Sequence, residues 1–245
     1  MRDRRFAPNP YAHDDGAISI ELARAFEQPE SLRTGAIVKA LGRVLVPVLP
    51  HAHPGREADG SVAVHVAPER DPLACGGEDL VTVEFPGGRK ALPIFSSVDS
   101  LRAWNASARP VPVDVKRVAV AALRHGDGVL TLDEGSPAMT WLGRSATVAL
   151  ASGAGWTPPW RDREIIDRMA NAIDGGFPEL ERVKIEPGPH GRAVVELHLD
   201  AHATRQAVMD IVHTVSAMMA TDAYIKARLD VVEIRPVHRS LDTKT

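Results

Sequence analysis

The fold of this chain is indicated most clearly by residues 80–104, which read LVTVEFPGGRKALPIFSSVDSLRAW. Two short apolar runs, at 80–85 and 90–95, flank the sequence Pro86-Gly87-Gly88-Arg89. Paired glycines adopt the positive φ values that tight hairpin turns require. Residues 80–95 are therefore predicted to form a β-hairpin.

A short amphipathic helix is predicted directly after the hairpin. Ser96 and Ser97 precede Val98, Leu101 and Trp104, which recur at three-residue spacing. A serine hydroxyl in this place caps a helix by accepting a hydrogen bond from a backbone N–H of the first turn. The same serines are candidates for a nucleophile, but the chain has no G-x-S-x-G elbow. Because a cap uses these residues in the same place, we favour the cap.

Helical and strand patterns alternate on both sides of this stretch. Apolar residues at three- and four-residue spacing predict helices at 18–26, 29–41, 115–125, 145–151, 162–173 and 204–228. Short apolar or alternating runs predict strands at 44–49, 62–66, 129–132, 139–142, 182–186, 193–199 and 229–237. In the helix at 29–41 we expect Leu32 on the buried face and Gly42 at positive φ just past the end. Pro110 and Pro112 predict an extended linker, because proline fixes φ and restricts the preceding residue.

The segment at 152–161, SGAGWTPPWR, is rich in glycine and proline and predicts a domain boundary. We expect an N-terminal arm at 1–28, an α+β domain at 29–160, a smaller β-β-α-β unit at 161–238 and a polar tail at 239–245. The predicted fold class is thus α+β, with a mixed sheet that includes the β-hairpin, flanking helices, and the smaller unit after them. The sequence leaves open whether the two parts share one sheet.

The composition is typical of a globular protein with a buried core. Hydrophobic residues make up 44% of the 245 residues and charged residues 25%, which argues against a disordered chain. The net charge of −3 gives no bulk positive field for DNA or an anionic membrane. The N-terminal sequence lacks the apolar core of a secretory signal, and no apolar run approaches the roughly 20 residues of a membrane span. We therefore expect a cytoplasmic protein.

No catalytic residue, metal site or cofactor is predicted from motifs. Cys75 is the one cysteine in the sequence, which excludes an intrachain disulfide and a cysteine-based zinc cluster. The histidine pairs His51/His53 and His198/His202 have no further ligands fixed by spacing, so we favour solvated histidines over a metal site. The glycine-rich motifs that bind phosphate at a helix start are absent from the sequence.

The loop with Trp156 and Trp160 has two interpretations. The two tryptophans flank Thr157-Pro158-Pro159, and an indole in a proline-rich loop is costly to leave in water. Either the loop packs down as a structural staple or it presents an interaction surface. We favour the staple, and both alternatives stay open.

Basic residues near the first domain's helices, Arg144 among them, form a basic face or ordinary surface charge. At this net charge we favour ordinary surface charge.

Six short motifs follow one another through the first domain. They are VLVPVLP at 44–50, ALPIFSSV at 91–98, LRAW at 101–104, LTLD at 130–133, LGR at 142–144 and GWTPP at 155–159. Taken in this order they resemble the SseB family in its actinobacterial form. The resemblance brings no catalytic residue to this chain. Genes of this family in actinobacteria lie near those for a translation initiation factor and ribosomal proteins, so the resemblance implies a link to translation.

We expect a non-enzymatic cytosolic binding or regulatory protein that binds a protein partner. The expected binding surface comprises Phe95, Ser96, Trp104, Arg144, Trp156 and Trp160. One alternative is an accessory protein of ribosomes or translation factors, whose binding would weaken steeply with salt. A second alternative is a small-molecule enzyme with a deep polar pocket. We expect no DNA or membrane partner and no cofactor, and the sequence does not fix the oligomeric state.

Overall fold

The computed structural model describes residues 10–49, 81–173 and 175–238. Within these ranges the helices are α1 Ile20–Phe26, α2 Glu30–Ala40, α3 Val98–Trp104, α4 Val115–His125, α5 Arg144–Ser152, α6 Arg163–Ile173, α7 Arg205–Thr221 and α8 Ala223–Arg228. The strands are β1 Arg43–Val48, β2 Val83–Phe85, β3 Arg89–Ile94, β4 Arg109–Asp114, β5 Val129–Leu132, β6 Thr140–Leu142, β7 Leu180–Pro187, β8 Ala193–Leu199 and β9 Val232–His238. Elements α1–α5 with β1–β6 form the first unit, and α6–α8 with β7–β9 form the second. The predicted α+β class is confirmed.

The predicted hairpin is confirmed and begins a four-stranded mixed sheet in the order β2-β3-β5-β6. Gly87 and Gly88 adopt φ values of +82° and +74° in the turn, which L-residues with a Cβ rarely adopt. Strand β3 pairs antiparallel with β2 and parallel with β5, where Ile94 lies opposite Leu132. The predicted serine cap is also confirmed, because Ser97 Oγ accepts from the Ser100 N–H at 3.1 Å.

The proline segment predicted as a linker is a strand, so that prediction was wrong. Strand β4 pairs antiparallel with β1, and Pro112 and Pro110 lie opposite Leu45 and Pro47. Proline has no N–H to donate to a ladder, which restricts it to edges, and among the described residues this sheet consists of two strands. The extended backbone that proline favours is what a strand requires. A bridge between Leu45 and Phe95, with two N–H···O distances of 2.9 Å, links this sheet to β3.

The core of the first unit lies between its sheets and helices α1, α2, α4 and α5. Helix α4 contributes Val118, Ala119 and Ala122, all at most 1% exposed. On α2 the buried face consists of Thr34, Ile37 and Val38. Leu32 lies outside that face and is 40% exposed, so the prediction that it faces the core was wrong. Gly42 has no positive φ either, because α2 ends at Leu41 in an extended conformation.

The second unit has a sheet of its own, in the order β7-β8-β9, with β9 parallel to β8. Val195, Leu197 and Leu199 on β8 are completely buried, while Glu196 and His198 lie on the other face, as their alternation predicts. The predicted helix at 204–228 is two helices, α7 and α8, which meet at Asp222. Its carboxylate accepts from the N–H groups of Tyr224 and Ile225 at 2.9 and 3.0 Å, so Asp222 caps a new helix there.

Several predictions fall on residues outside the described ranges. They are the strand at 62–66, Cys75, the histidine pair His51/His53, most of the first ten residues and the tail at 239–245. In the part of the chain that the structure describes, no helix combines the length and the apolar character that a bilayer crossing requires. The domain boundaries themselves stay predictions.

Candidate binding groove

Trp160 is a structural staple. Its side chain is buried in the core of the second unit, with the residue 8% exposed. The indole N–H donates to the carbonyl oxygen of Ser31 in α2 at 2.8 Å, a hydrogen bond between residues 129 positions apart. The staple alternative therefore describes Trp160, which ties the second unit to the first.

Trp156 is held from one side and open on the other. Its indole N–H donates to Ser145 Oγ on α5 at 3.2 Å, and its ring packs at the margin of the first unit's core. The residue is only half-buried. The same loop thus provides one covered tryptophan and one that contributes to the surface.

Phe95, Ser96 and Trp104 form a packing cluster at one end of the four-stranded sheet. Phe95 is completely buried and Ser96 is 4% exposed. The Phe95 and Trp104 ring centroids lie 5.3 Å apart in a tilted arrangement. The Ser96 N–H donates to Asp133 Oδ1 at 2.8 Å, which holds the ends of β3 and β5 together. Of these three residues only Trp104 is partly exposed.

Arg144 lies at the opposite end of that sheet. Leu130 pairs with Leu142 and Leu132 pairs with Thr140, so the residue after β6 is at the start of β5. Phe95 and Ser96 follow β3 and are at the end of β5, since Ile94 pairs with Leu132. The structure therefore does not bring the six predicted residues together on one surface. Their roles in binding stay predictions.

A groove lies between α2 and the loop that begins at Trp156, and its volume is about 370 Å³. We call it the α2 groove. Its lining consists of Ser31, Leu32, Gly35, Ala36, Lys39, Trp156, Thr157, Pro158 and Arg161. At Gly35 the helix comes close to the loop, because a Cβ there would lie 3.3 Å from Pro158 Cγ, a tight contact. The loop can thus lie directly on the helix.

The α2 groove combines two apolar side chains with two cations. Leu32 and the half-buried Trp156 provide apolar surface, and Lys39 and Arg161 are exposed cations. None of the described residues that line the groove carries a carboxylate. Chemically, such a site can take an apolar side chain flanked by acidic groups.

Sequence reasoning found Trp156 but missed Leu32, Lys39 and Arg161. The helical pattern at 29–41 placed Leu32 on the wrong side, because apolar spacing alone does not show how far the buried stripe extends. The buried residues Thr34, Ile37, Val38 and Leu41 follow one another at intervals of three and four. Leu32 does not belong to this series, so its position in the sequence could have shown that it lies off the buried face. Nothing local in the sequence connects Lys39 with Arg161.

The described residues contain no group of three or more histidine, cysteine, aspartate or glutamate side chains arranged to hold a metal ion. His198, one of the histidines considered above, has its Nε2 3.2 Å from Glu196 Oε2 on the same strand. His202 lies in the turn after β8, where its backbone N–H donates to Asp200.

A family model described as the SseB protein N-terminal domain matches residues 21–146, which is more than half of the 245-residue chain. The chain belongs to the SseB family. The resemblance inferred from the ordered motifs is thereby confirmed at the level of the family. In this SseB-family chain the match begins in α1 and ends in the first turn of α5, so it contains the α2 side of the groove but not Trp156 or Arg161. No curated protein matches the chain.

Proposed function

We propose that this SseB-family chain is a non-enzymatic, cytosolic binding or regulatory protein, and that it engages a protein partner through the α2 groove. The observation that carries the proposal is that exposed Leu32 and half-buried Trp156 lie with two cations, and that no described lining residue carries a carboxylate. The partner segment that fits such a groove is acidic and carries at least one apolar side chain. The excess of arginine over lysine supports an actinobacterial source.

The fixed orientation of Trp156 favours binding. Tryptophan and arginine are the residues that most often dominate the energy of protein interfaces. The hydrogen bond from the Trp156 indole to Ser145 restricts the ring before a partner arrives. Less rotamer entropy is then lost on association, so more of the contact energy appears as affinity. The modest size of the groove, about 370 Å³, suits one or two side chains of a short segment and hence a transient complex.

The proposal is tested by affinity capture from a native extract with three forms of the tagged chain. The first is the wild type, the second is the double variant Leu32→Ser/Trp156→Ala, and the third is Met209→Ser. Met209 is 56% exposed on α7 and lies outside the α2 groove, so its variant controls for loss of an exposed apolar side chain. The captured proteins are compared by mass spectrometry at low and high salt.

We expect a protein with an acidic, apolar segment to be retained by the wild type and by Met209→Ser, and lost from the double variant. Equal retention by all three forms would contradict the role of the groove. Ribosomal material that all three forms retain at low salt and release at high salt would instead favour the translation-associated alternative, because phosphate contacts are strongly salt-dependent.

A further inference from the structure

A second cavity lies between the two units, on the opposite side of α2 from the groove. Its volume is about 440 Å³, within the range of small-molecule sites, which occur preferentially at domain interfaces. We call it the inter-unit cleft. Its walls come from the end of α1 and the start of α2, from the loop between β5 and β6, and from the turn between β7 and β8.

The turn between β7 and β8 is held in an unusual conformation at this cleft. His190 adopts φ +59°, a left-handed value that is costly for a residue with a Cβ. Such strain persists only where the surroundings fix it, and it is concentrated at ligand sites. Here the surroundings are the Met139 carbonyl, 3.1 Å from His190 Nδ1, and the Trp141 ring, whose centroid is 5.3 Å from that of His190.

The contact with Met139 also fixes which nitrogen of His190 carries the proton in the neutral ring. A carbonyl oxygen only accepts, so Nδ1 carries a proton and donates to it. In the neutral ring Nε2 is then the acceptor, and no described residue forms a hydrogen bond with it. Thr34 provides a hydroxyl from the opposite wall, although the residue is only 4% exposed. Within the described chain this hydroxyl has no hydrogen-bond partner.

Two opposite charges line the same cleft without pairing. Glu30 and Arg33 are three positions apart on α2, a spacing at which side chains on a helix can meet. Neither forms an ion pair with any described residue. The Arg33 Nε–H donates to the Gln28 carbonyl at 3.1 Å, which positions the guanidinium and leaves its terminal amino groups available. Between these charges and the turn, the walls are apolar: Phe26, Pro137, Ala138, Met139 and Pro189.

We propose that the inter-unit cleft binds a small amphoteric molecule, in which a carboxylate and an amine are joined by a short apolar body. Arg33 holds the carboxylate, Glu30 holds the ammonium group, and the apolar walls cover the carbon chain. His190 Nε2 and the Thr34 hydroxyl are available for a further hydrogen bond. This site is separate from the α2 groove and does not depend on the partner proposed there, because the two sites use different faces of α2.

The test uses 2-, 3- and 4-aminobutyrate as amphoteric probes, with butyrate and butylamine as probes that carry one charge each. Binding to the full chain is followed by shifts of the backbone amide signals of Thr34 and His190 in proton–nitrogen spectra. We expect at least one aminobutyrate to shift these signals, with about tenfold higher affinity than either single-charge probe, since a charged hydrogen bond is worth about a factor of ten.

Two variants assign the charges. We expect Arg33→Gln to reduce aminobutyrate binding to the level of butylamine, and Glu30→Gln to reduce it to the level of butyrate. Arg102→Gln is the control, because Arg102 is exposed on α3 and does not line the cleft; its binding should equal that of the wild type. The proposal is overturned if no aminobutyrate shifts the cleft signals, if butyrate alone binds equally well, or if the two charge variants behave like the control.

Discussion

The indole of Trp160 contributes to stability in two ways, through burial and through its N–H. The ring packs among buried residues of the second unit, such as Ile165 and Met169. Its N–H reaches Ser31 of the first unit at 2.8 Å. Trp156 lies four residues earlier, yet it keeps part of its surface exposed. One loop thus carries one buried tryptophan and one that is partly exposed.

We predict that Trp160→Ala lowers the free energy of unfolding by about 3–5 kcal/mol, the usual cost of deleting a large buried ring. Trp160→Phe should cost less, because it keeps most of the ring and loses chiefly the hydrogen bond to Ser31. Trp156→Ala should have a distinctly smaller effect than Trp160→Ala, because the Trp156 side chain is only partly buried. Denaturant unfolding of the three variants measures these differences. An equal decrease in the free energy of unfolding for Trp156→Ala and Trp160→Ala would show that the two rings contribute equally to stability.

At the scale of elements, Asp222 decides that α7 ends and α8 begins. The N–H of Ile225 donates to the Asp222 carboxylate and lowers its pKa, and the Arg168 guanidinium at 3.1 Å and the N–H of Tyr224 lower it further. The pKa of Asp222 in the folded state therefore lies below that in the unfolded chain. The charged carboxylate stabilises the fold above the unfolded value, and this contribution is lost as the pH falls through the folded value.

We predict that Asp222→Asn, which keeps an oxygen for the cap but loses the charge, is less stable than the wild type at neutral pH. The difference should shrink as the pH is lowered below 3.8, the ordinary pKa of aspartate. Asp167→Asn on the exposed face of α6 is the control and should show no such trend. Thermal unfolding across this pH range provides the measurement. A stability difference that does not change with pH would show that the charge of the Asp222 carboxylate does not contribute to the cap.

Elements specified by neighbouring residues could be predicted from the sequence, and those that depend on distant residues could not. The hairpin and the Ser97 cap were predictable because adjacent glycines or serines specify them. The pairing of β1 with β4 was not, since the strands are far apart in the chain and both carry proline. The break at Asp222 was missed because apolar spacing continues through it. The α2 groove joins Leu32 to Trp156 by tertiary packing alone, so the sequence could indicate one side of it only.

At the scale of the whole molecule, Asp230 connects the two units. Gly143 occupies the N-cap position before α5 and has no side chain to cap the helix. The Asp230 carboxylate of the second unit accepts from the Arg144 N–H in its place. Arg89 of β3 donates to the Asp230 carbonyl at 3.1 Å and lies 3.6 Å from its carboxylate. The second unit thus supplies a helix cap that the first unit lacks.

We predict that Asp230→Ala lowers the free energy of unfolding by about 1–2 kcal/mol, the usual value for a lost helix cap. Hydrogen exchange should accelerate at the first turn of α5 in this variant. Asp167→Ala should leave exchange there unchanged, since it lies on a solvent-facing position of α6. Unchanged exchange in Asp230→Ala would mean that the contact between the units does not depend on this cap.

Trp156 lines the α2 groove, so its signal reports directly on the proposed recognition of an acidic, apolar segment. The chain has four tryptophans, and the indole signal of Trp156 is assigned in a proton–nitrogen spectrum by comparison with Trp156→Phe. The decisive measurement is a titration with an acidic peptide that carries one leucine, alongside two matched peptides with serine for leucine or lysine for each acid. We predict that only the acidic leucine peptide shifts the Trp156 indole signal in a saturable manner. An unshifted signal, or equal shifts with all three peptides, would contradict recognition of such a segment by the α2 groove.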